Sequence, residues 1–196
     1  MNIPVLLLPG WGDDDSALRS LSRFLTDRGW SPDALEAAAF LDPRGSNITH
    51  AQEIAAAAER LRARSGARQI DVVAHSMSGL ALRWFIAHAG ASCIVRRAIF
   101  VATPHRGTWL ALAGWGEGAR EMRPRSPFLR RLDALELPAA IRTFTIRTLL
   151  ETHVFPHRNA TLPGATDHVV RATIHARMLY SRPVMRIVHD CLIASD

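Results

Sequence analysis

The chain contains no lysine: all 24 of its basic side chains are arginine. So uniform an absence reads as genome composition, not as a functional choice. Cysteine is scarce as well. Cys93 and Cys191 lie far apart, with neither CxxC nor metal-ligand spacing, which excludes a disulfide framework and a thiolate metal centre. Two buried free thiols are expected, with pairing between them left open. No stretch approaches the ~20 apolar residues of a membrane span. The apolar run Ile3-Pro4-Val5-Leu6-Leu7-Leu8 has neither a basic region before it nor a small-residue cleavage site after it, so a cytoplasmic location is expected. Repeats, low-complexity tracts, linkers and nucleic-acid motifs are also missing.

What is present suits a globular fold. The 196 residues are 48% hydrophobic and 21% charged, enough to bury a full core in one domain over residues 1–196. The net charge is +6, and arginine thickens at Arg120, Arg123, Arg125, Arg130 and Arg131. A solvated helix face accounts for this cluster; a weak contact with an anionic lipid surface is the sharper reading.

Strand and helix patterns alternate. Ile3 to Leu8 reads as a strand buried on both faces. Asp13, Asp14 and Asp15 offer caps to a helix whose apolar residues are Ala17, Leu18, Leu21, Phe24 and Leu25, ended by Gly29. A weak strand lies around Ala34 to Ala38. Ser46 or Asn47 caps a long helix that Gly66 closes. Ile70 to Ala74 is a β-rich run that turns helical from Leu80 to about Ala89, stopped by Gly90. Further strands are expected at Arg97 to Val101, Ile141 to Leu149 and Asp167 to Thr173. A short amphipathic piece near Phe128, Leu129, Leu132 and Leu135 lies between. Pro183 opens the last helix, with Val184, Ile187, Val188, Cys191 and Leu192 on one stripe. The expected fold is α/β: a three-layer α/β/α sandwich around a mostly parallel sheet of about six strands.

The strongest chemical signal is Ala74-His75-Ser76-Met77-Ser78-Gly79. A strand that turns sharply into a helix projects one side chain from the carboxyl edge of the sheet, and the turn tolerates only small flanking residues. Ser76 is the projected residue. At a helix N-terminus, an oxyanion formed beside it meets free backbone N–H groups and the positive end of the dipole. The segment Ile70 to Leu80 resembles the nucleophile segment of bacterial lipases and esterases of the α/β-hydrolase superfamily, in the small, minimal-lid form. Leu7-Leu8-Pro9-Gly10-Trp11-Gly12 resembles that family's oxyanion loop, with Pro9 where histidine is usual. Val101-Ala102-Thr103-Pro104-His105-Arg106-Gly107-Thr108 resembles the loop after the next strand. The likeness runs through Met122 to Leu129 and on to the C-terminal helix, so it covers nearly the whole chain.

A serine hydroxyl needs an imidazole to take its proton. Nine histidines compete. The family order is Ser, acid, His, with the base after the last strand, and this points to His175, followed by a Leu-Tyr-Ser like that of the lipase His loop. His168 is the rival, inside the presumed strand. His75 is expected to hold a structural hydrogen bond. His153 and His157 sit four apart, but Pro156 breaks the helix a metal pair would need, so no metal or other cofactor is expected. Glu151 is the candidate acid. It is the only carboxylate between Glu136 and Asp167, and its spacing to Val154 and Pro156 is similar to the family's acid loop, where aspartate is usual. Asp167 is the alternative. The resemblance assigns the oxyanion hole to the backbone N–H groups of Met77 and Trp11.

Trp11, Trp109, Trp115, Met77 and Phe155 are candidates for an apolar acyl pocket, His105 for its entrance, and residues 105–135 for a partial cover. The implied activity is hydrolysis of small-molecule carboxylic esters through a covalent acyl-enzyme. Thioester hydrolysis, acyl transfer to an alcohol, and ligand binding without turnover stay open, as does the oligomeric state.

Overall fold

In the run Val5 to Leu8 every side chain is fully buried, and successive residues face opposite ways. Leu6 and Leu8 join one apolar cluster, Val5 and Leu7 another. A strand apolar on both faces requires a covering layer on each. That arrangement holds in the computed structural model, which describes residues 2–88 and 91–195. The expected helix stop at Ala89 and Gly90 lies outside the described residues.

The strands are β1 (Val5–Leu8), β2 (Leu35–Ala37), β3 (Ile70–His75), β4 (Val95–Val101), β5 (Arg142–Leu150) and β6 (Thr166–Ile174). They form one six-stranded sheet in the order β2-β1-β3-β4-β5-β6, parallel throughout. The helices are α1 (Arg19–Thr26), α2 (Asn47–Ser65), α3 (Ser78–His88), α4 (Glu117–Glu121), α5 (Pro127–Asp133) and α6 (Arg182–Ile193). The cluster on one face draws on α2, α3 and α5; the other draws on α1 and α6. The result is a three-layer α/β/α sandwich.

Local chemistry marks the element ends. Ser46 Oγ accepts from the Ile48 N–H at 3.1 Å and caps α2. Gly66, at φ 68°, closes that helix in the left-handed conformation. β4 begins two residues earlier than Arg97. Arg96 and Arg97 disguise its start, yet both are absorbed: Arg96 Nε donates to Asp71 Oδ1 at 2.9 Å, and Arg97 donates to the Leu192 carbonyl at the end of α6.

Both cysteines are free thiols, but only Cys191 is buried; Cys93 is exposed on the turn before β4, contrary to expectation. Burial, then the Asp190 carboxylate, pushes the Cys191 thiol up to about 12. Among the described residues no helix is long and apolar enough to cross a membrane.

The strand order reverses between β1 and β3. The chain leaves β1 toward β2 on one side and returns past it to β3 on the other. Such a point opens a crevice at the carboxyl ends of the strands, where ligands of open α/β sheets bind. The loops after β1 and β3 meet there.

Candidate active site

Ser76 follows β3 directly and has φ 56°, the left-handed region that non-glycine residues rarely enter. The turn is held on both sides. Its N–H donates to the Val101 carbonyl at 2.8 Å, and its carbonyl accepts from the Gly79 N–H at 3.1 Å. Ser78, standing where a glycine is usual, is fully buried and donates its hydroxyl to the His75 carbonyl at 2.9 Å. The steric demand falls one residue later. A Cβ at Gly79 would lie 2.0 Å from Thr103 Oγ1 and 2.6 Å from its Cγ2, so only glycine fits.

His175 stands immediately after β6. Its Nε2 lies 2.9 Å from Ser76 Oγ, and its Nδ1 lies 2.9 Å from Glu151 Oε1. The second contact is short but bent, since the ring N–H does not point squarely at the oxygen. Glu151 follows β5, whose end is shifted in register against β6 between Thr148 and Leu150. Such a shift re-aims the residues beyond it. Its Oε1 also accepts from the backbone N–H groups of Thr152 (2.8 Å), His153 (2.7 Å) and Val154 (3.1 Å). The loop thus wraps onto the carboxylate and takes up the extra methylene of glutamate. Burial works to raise the Glu151 pKa, but His175 and the backbone donors outweigh it and hold the group below its ordinary value.

Thr108 braces this loop, donating to the His153 carbonyl at 2.7 Å and accepting from the Phe155 N–H at 2.9 Å. Nothing in the sequence reading singled it out. Gly107, at φ 80°, lets the segment pass the Met122 carbonyl, which a Cβ would approach to 2.7 Å.

Asp167 does not come near His175. It stands at the opposite end of β6, with Arg147 Nε at 2.9 Å and the Thr145 hydroxyl at 2.7 Å. His168 is also on β6, 3.6 Å from Cys191 Sγ. Among the described residues neither ring nitrogen of His75 has a well-formed partner, although the His175 backbone lies within its reach. Burial, then the neighbouring His175, depresses its pKa to about 3, so the ring stays neutral. The rings of His75 and His153 flank His175 at 5.0 and 4.7 Å. Among the described residues, the group whose ligand atoms fall within 4.8 Å of one another is Glu151, His153 and His175. Both His175 nitrogens in that group already face Glu151 and Ser76.

A cavity of about 470 Å³ opens above Ser76. Trp11, Leu110, Trp115, Met122 and Tyr180 give it apolar walls. Leu110, Trp115 and Tyr180 are each about half exposed and form its rim. Trp109, Phe155 and His105 are not wall residues. Trp109 and Phe155 turn outward at 60% and 48% exposure, while His105 is buried edge-on against Phe100. Residue type had suggested them, but aromatic character does not say which way a loop side chain turns. Met77 packs its side chain inward, beside Gly118. Among the described residues the backbone N–H groups of Met77 and Trp11 have no acceptor within the chain. Asp13, read as a helix cap, lines the cavity instead, and Asp14 does the capping by accepting from the Ser16 N–H at 2.9 Å.

The arginine cluster is largely engaged locally. Arg123 donates to the Ala111 carbonyl, Arg130 to that of Arg125, and Arg131 lies over the Trp84 ring.

A model of the alpha/beta hydrolase family matches residues 5–195. The chain belongs to that family. Among solved structures, the mature lipase BlEst2 of Bacillus licheniformis superposes with a TM-score of 0.85 at 17% identity, over 97% of this chain and 92% of that one. A gene product of Listeria innocua gives 0.78 at 15% identity, over 100% of this chain and 96% of its own. Lipase B of Aspergillus fumigatus gives 0.77 at 17% identity, over 97% of this chain but 52% of that one. At these identities the likeness is one of fold.

Proposed function

We propose that this alpha/beta hydrolase is a serine carboxylic-ester hydrolase, with Ser76 as nucleophile, His175 as general base and Glu151 as the orienting acid. One observation carries the reading: a single imidazole bridges Ser76 Oγ and the Glu151 carboxylate at 2.9 Å on each side, beside a serine held at positive φ on a strand-to-helix turn.

The steps follow from the geometry. Ser76 Oγ attacks the ester carbonyl as its proton passes to His175 Nε2. The Met77 and Trp11 N–H groups are offered to the oxygen that gains the negative charge. Collapse of the tetrahedral intermediate breaks the bond to the alcohol, which takes the proton from His175. Water then repeats the sequence on the acyl-enzyme, releasing the acid and free Ser76. Glu151 stabilises the transient imidazolium and holds its tautomer. Residues 105–135 partly cover the site, and the apolar cavity suits a short or medium acyl chain.

The test is a reactive fluorophosphonate probe, with peptide mass spectrometry to locate the adduct. Labelling of Ser76, absent in Ser76→Ala and weakened in His175→Ala, is the expected result. No adduct on folded protein would mean that the nucleophile is not activated, and would leave ligand binding without turnover as the better reading.

A further inference from the structure

We propose that Asp13 sets the charge preference of this site: it favours esters that are neutral or cationic near the scissile bond and rejects those with an anionic group there. The inference rests on the hydrolase reading of Ser76 and names the substrate class that reading leaves open.

The argument begins with a contrast. The chain carries 24 arginines and a net charge of +6, yet among the described residues no arginine lines the cavity over Ser76. Among those residues one carboxylate does, that of Asp13. Glu151 stands behind His175 and is not a wall residue. Arg44 lies over the rings of Trp11 and Trp115, at 5.2 and 5.0 Å from their centroids, without lining the cavity itself. Burial holds two of the wall histidines, His75 and His153, below the usual imidazole value.

Asp13 is close to the reacting centre. A Cβ placed on Gly10 would lie 2.8 Å from Asp13 Oδ2, 3.0 Å from His75 Nδ1 and 3.5 Å from Ser76 Cβ. Carboxylate and nucleophile therefore both approach the same point beside Gly10, on the loop that also holds Trp11. Burial raises the Asp13 pKa, and His175 and the Gly10 backbone oppose the rise. A unit charge about 6 Å from a bound group, in the partly dry mouth of a cavity, discriminates between opposite charges by about tenfold or more.

The test uses three butyrate esters of phenols that differ at the meta position: carboxylate, carboxamide and trimethylammonium. Each kcat/KM is read as a ratio to that of the carboxamide ester, which removes effects common to all three. In the wild type the anionic ester is expected about tenfold below the neutral one. Asp13→Asn should raise the anionic ratio about tenfold and lower the cationic ratio. Asp13→Ser gives the same reading should the asparagine variant not fold. Ratios unchanged in both variants, or all three rates falling together, would overturn the proposal and reduce Asp13 to a brace of its loop. No turnover of any ester by the wild type would instead sink the esterase reading itself, before Asp13 is reached.

Discussion

Two cavities of this hydrolase are nearly equal in size, about 470 Å³ over Ser76 and about 510 Å³ beside Arg83. Their chemistry differs. Arg83, Arg106, Asp133 and Glu136 stand on the walls of the second, so its charges come in opposite pairs. Arg83 and Asp133 lie 3.3 Å apart and neutralise each other. Burial, then the fields of Arg83 and Arg106, holds His105 there far below the ordinary imidazole value, leaving it an inert ring. In the first cavity the polar groups instead form one line, Glu151 to His175 to Ser76, that ends on an exposed face of the cavity wall. Volume does not mark a reactive site. What sets this cavity apart is a chain of polar groups whose last member, Ser76, opens onto the cavity.

The comparison breaks first if the line of polar groups is dispensable. Ser76→Ala is expected to lower kcat for a 4-nitrophenyl ester by about 10⁴-fold or more, and His175→Ala by a similar factor. The two losses should not multiply in the double variant, because in the proposed mechanism the residues act as a unit. Glu151→Gln keeps the shape but removes the charge proposed to orient the imidazole. A fall in kcat of about 10³-fold is expected, with Glu151→Asp recovering part of it. Equal rates for Glu151→Gln and the wild type would show that the bent contact to His175 carries no function.

The two regions also differ in how readable they were from the sequence. Ser76, His175 and Glu151 each sit just past a strand end, and strand ends follow from apolar runs; the resemblance to lipase loops is what singled out this histidine and this acid among the other candidates. Strand order was legible from the same apolar runs, except at the start of β4, where Val95 and Arg96 were missed; the Arg96 and Arg97 charges that disguise it are taken up by Asp71 and the end of α6. Side chains on loops were not legible. Asp13 read as a cap, and Trp109, Phe155 and His105 read as pocket residues, because composition does not reveal direction. Gly79 was hidden by expecting the glycine one place earlier. Its role depends on Thr103, which is distant in sequence but would stand 2.0 Å from a Cβ there. Gly79→Ala is therefore expected to destabilise the fold by about 3 kcal/mol, measured by denaturant unfolding. Ser78→Ala, next to it, removes a hydroxyl that donates to the His75 carbonyl at 2.9 Å and lies 3.4 Å from that of Leu8, and should cost about 1 kcal/mol.

The smallest expected effect sharpens the comparison from the other side. Arg83→Met removes a buried guanidinium from the second cavity and leaves Asp133 without its partner. Removing one member of a fully buried pair is severe, because the remaining charge is stranded away from water. Asp133 is not stranded: its side chain is 55% exposed and can be hydrated where it stands. The methionine stem keeps most of the packing of arginine, while the bonds of Arg83 to the His105 and Leu132 carbonyls, both 3.4 Å long, are too weak to lose much. A loss near 1 kcal/mol is therefore expected, together with kcat/KM within about twofold of the wild type. A larger fall in kcat/KM at unchanged stability would mean that the segment from His105 to Thr108 carries the state of the second cavity to the loop of Glu151. The two cavities would then be parts of one site.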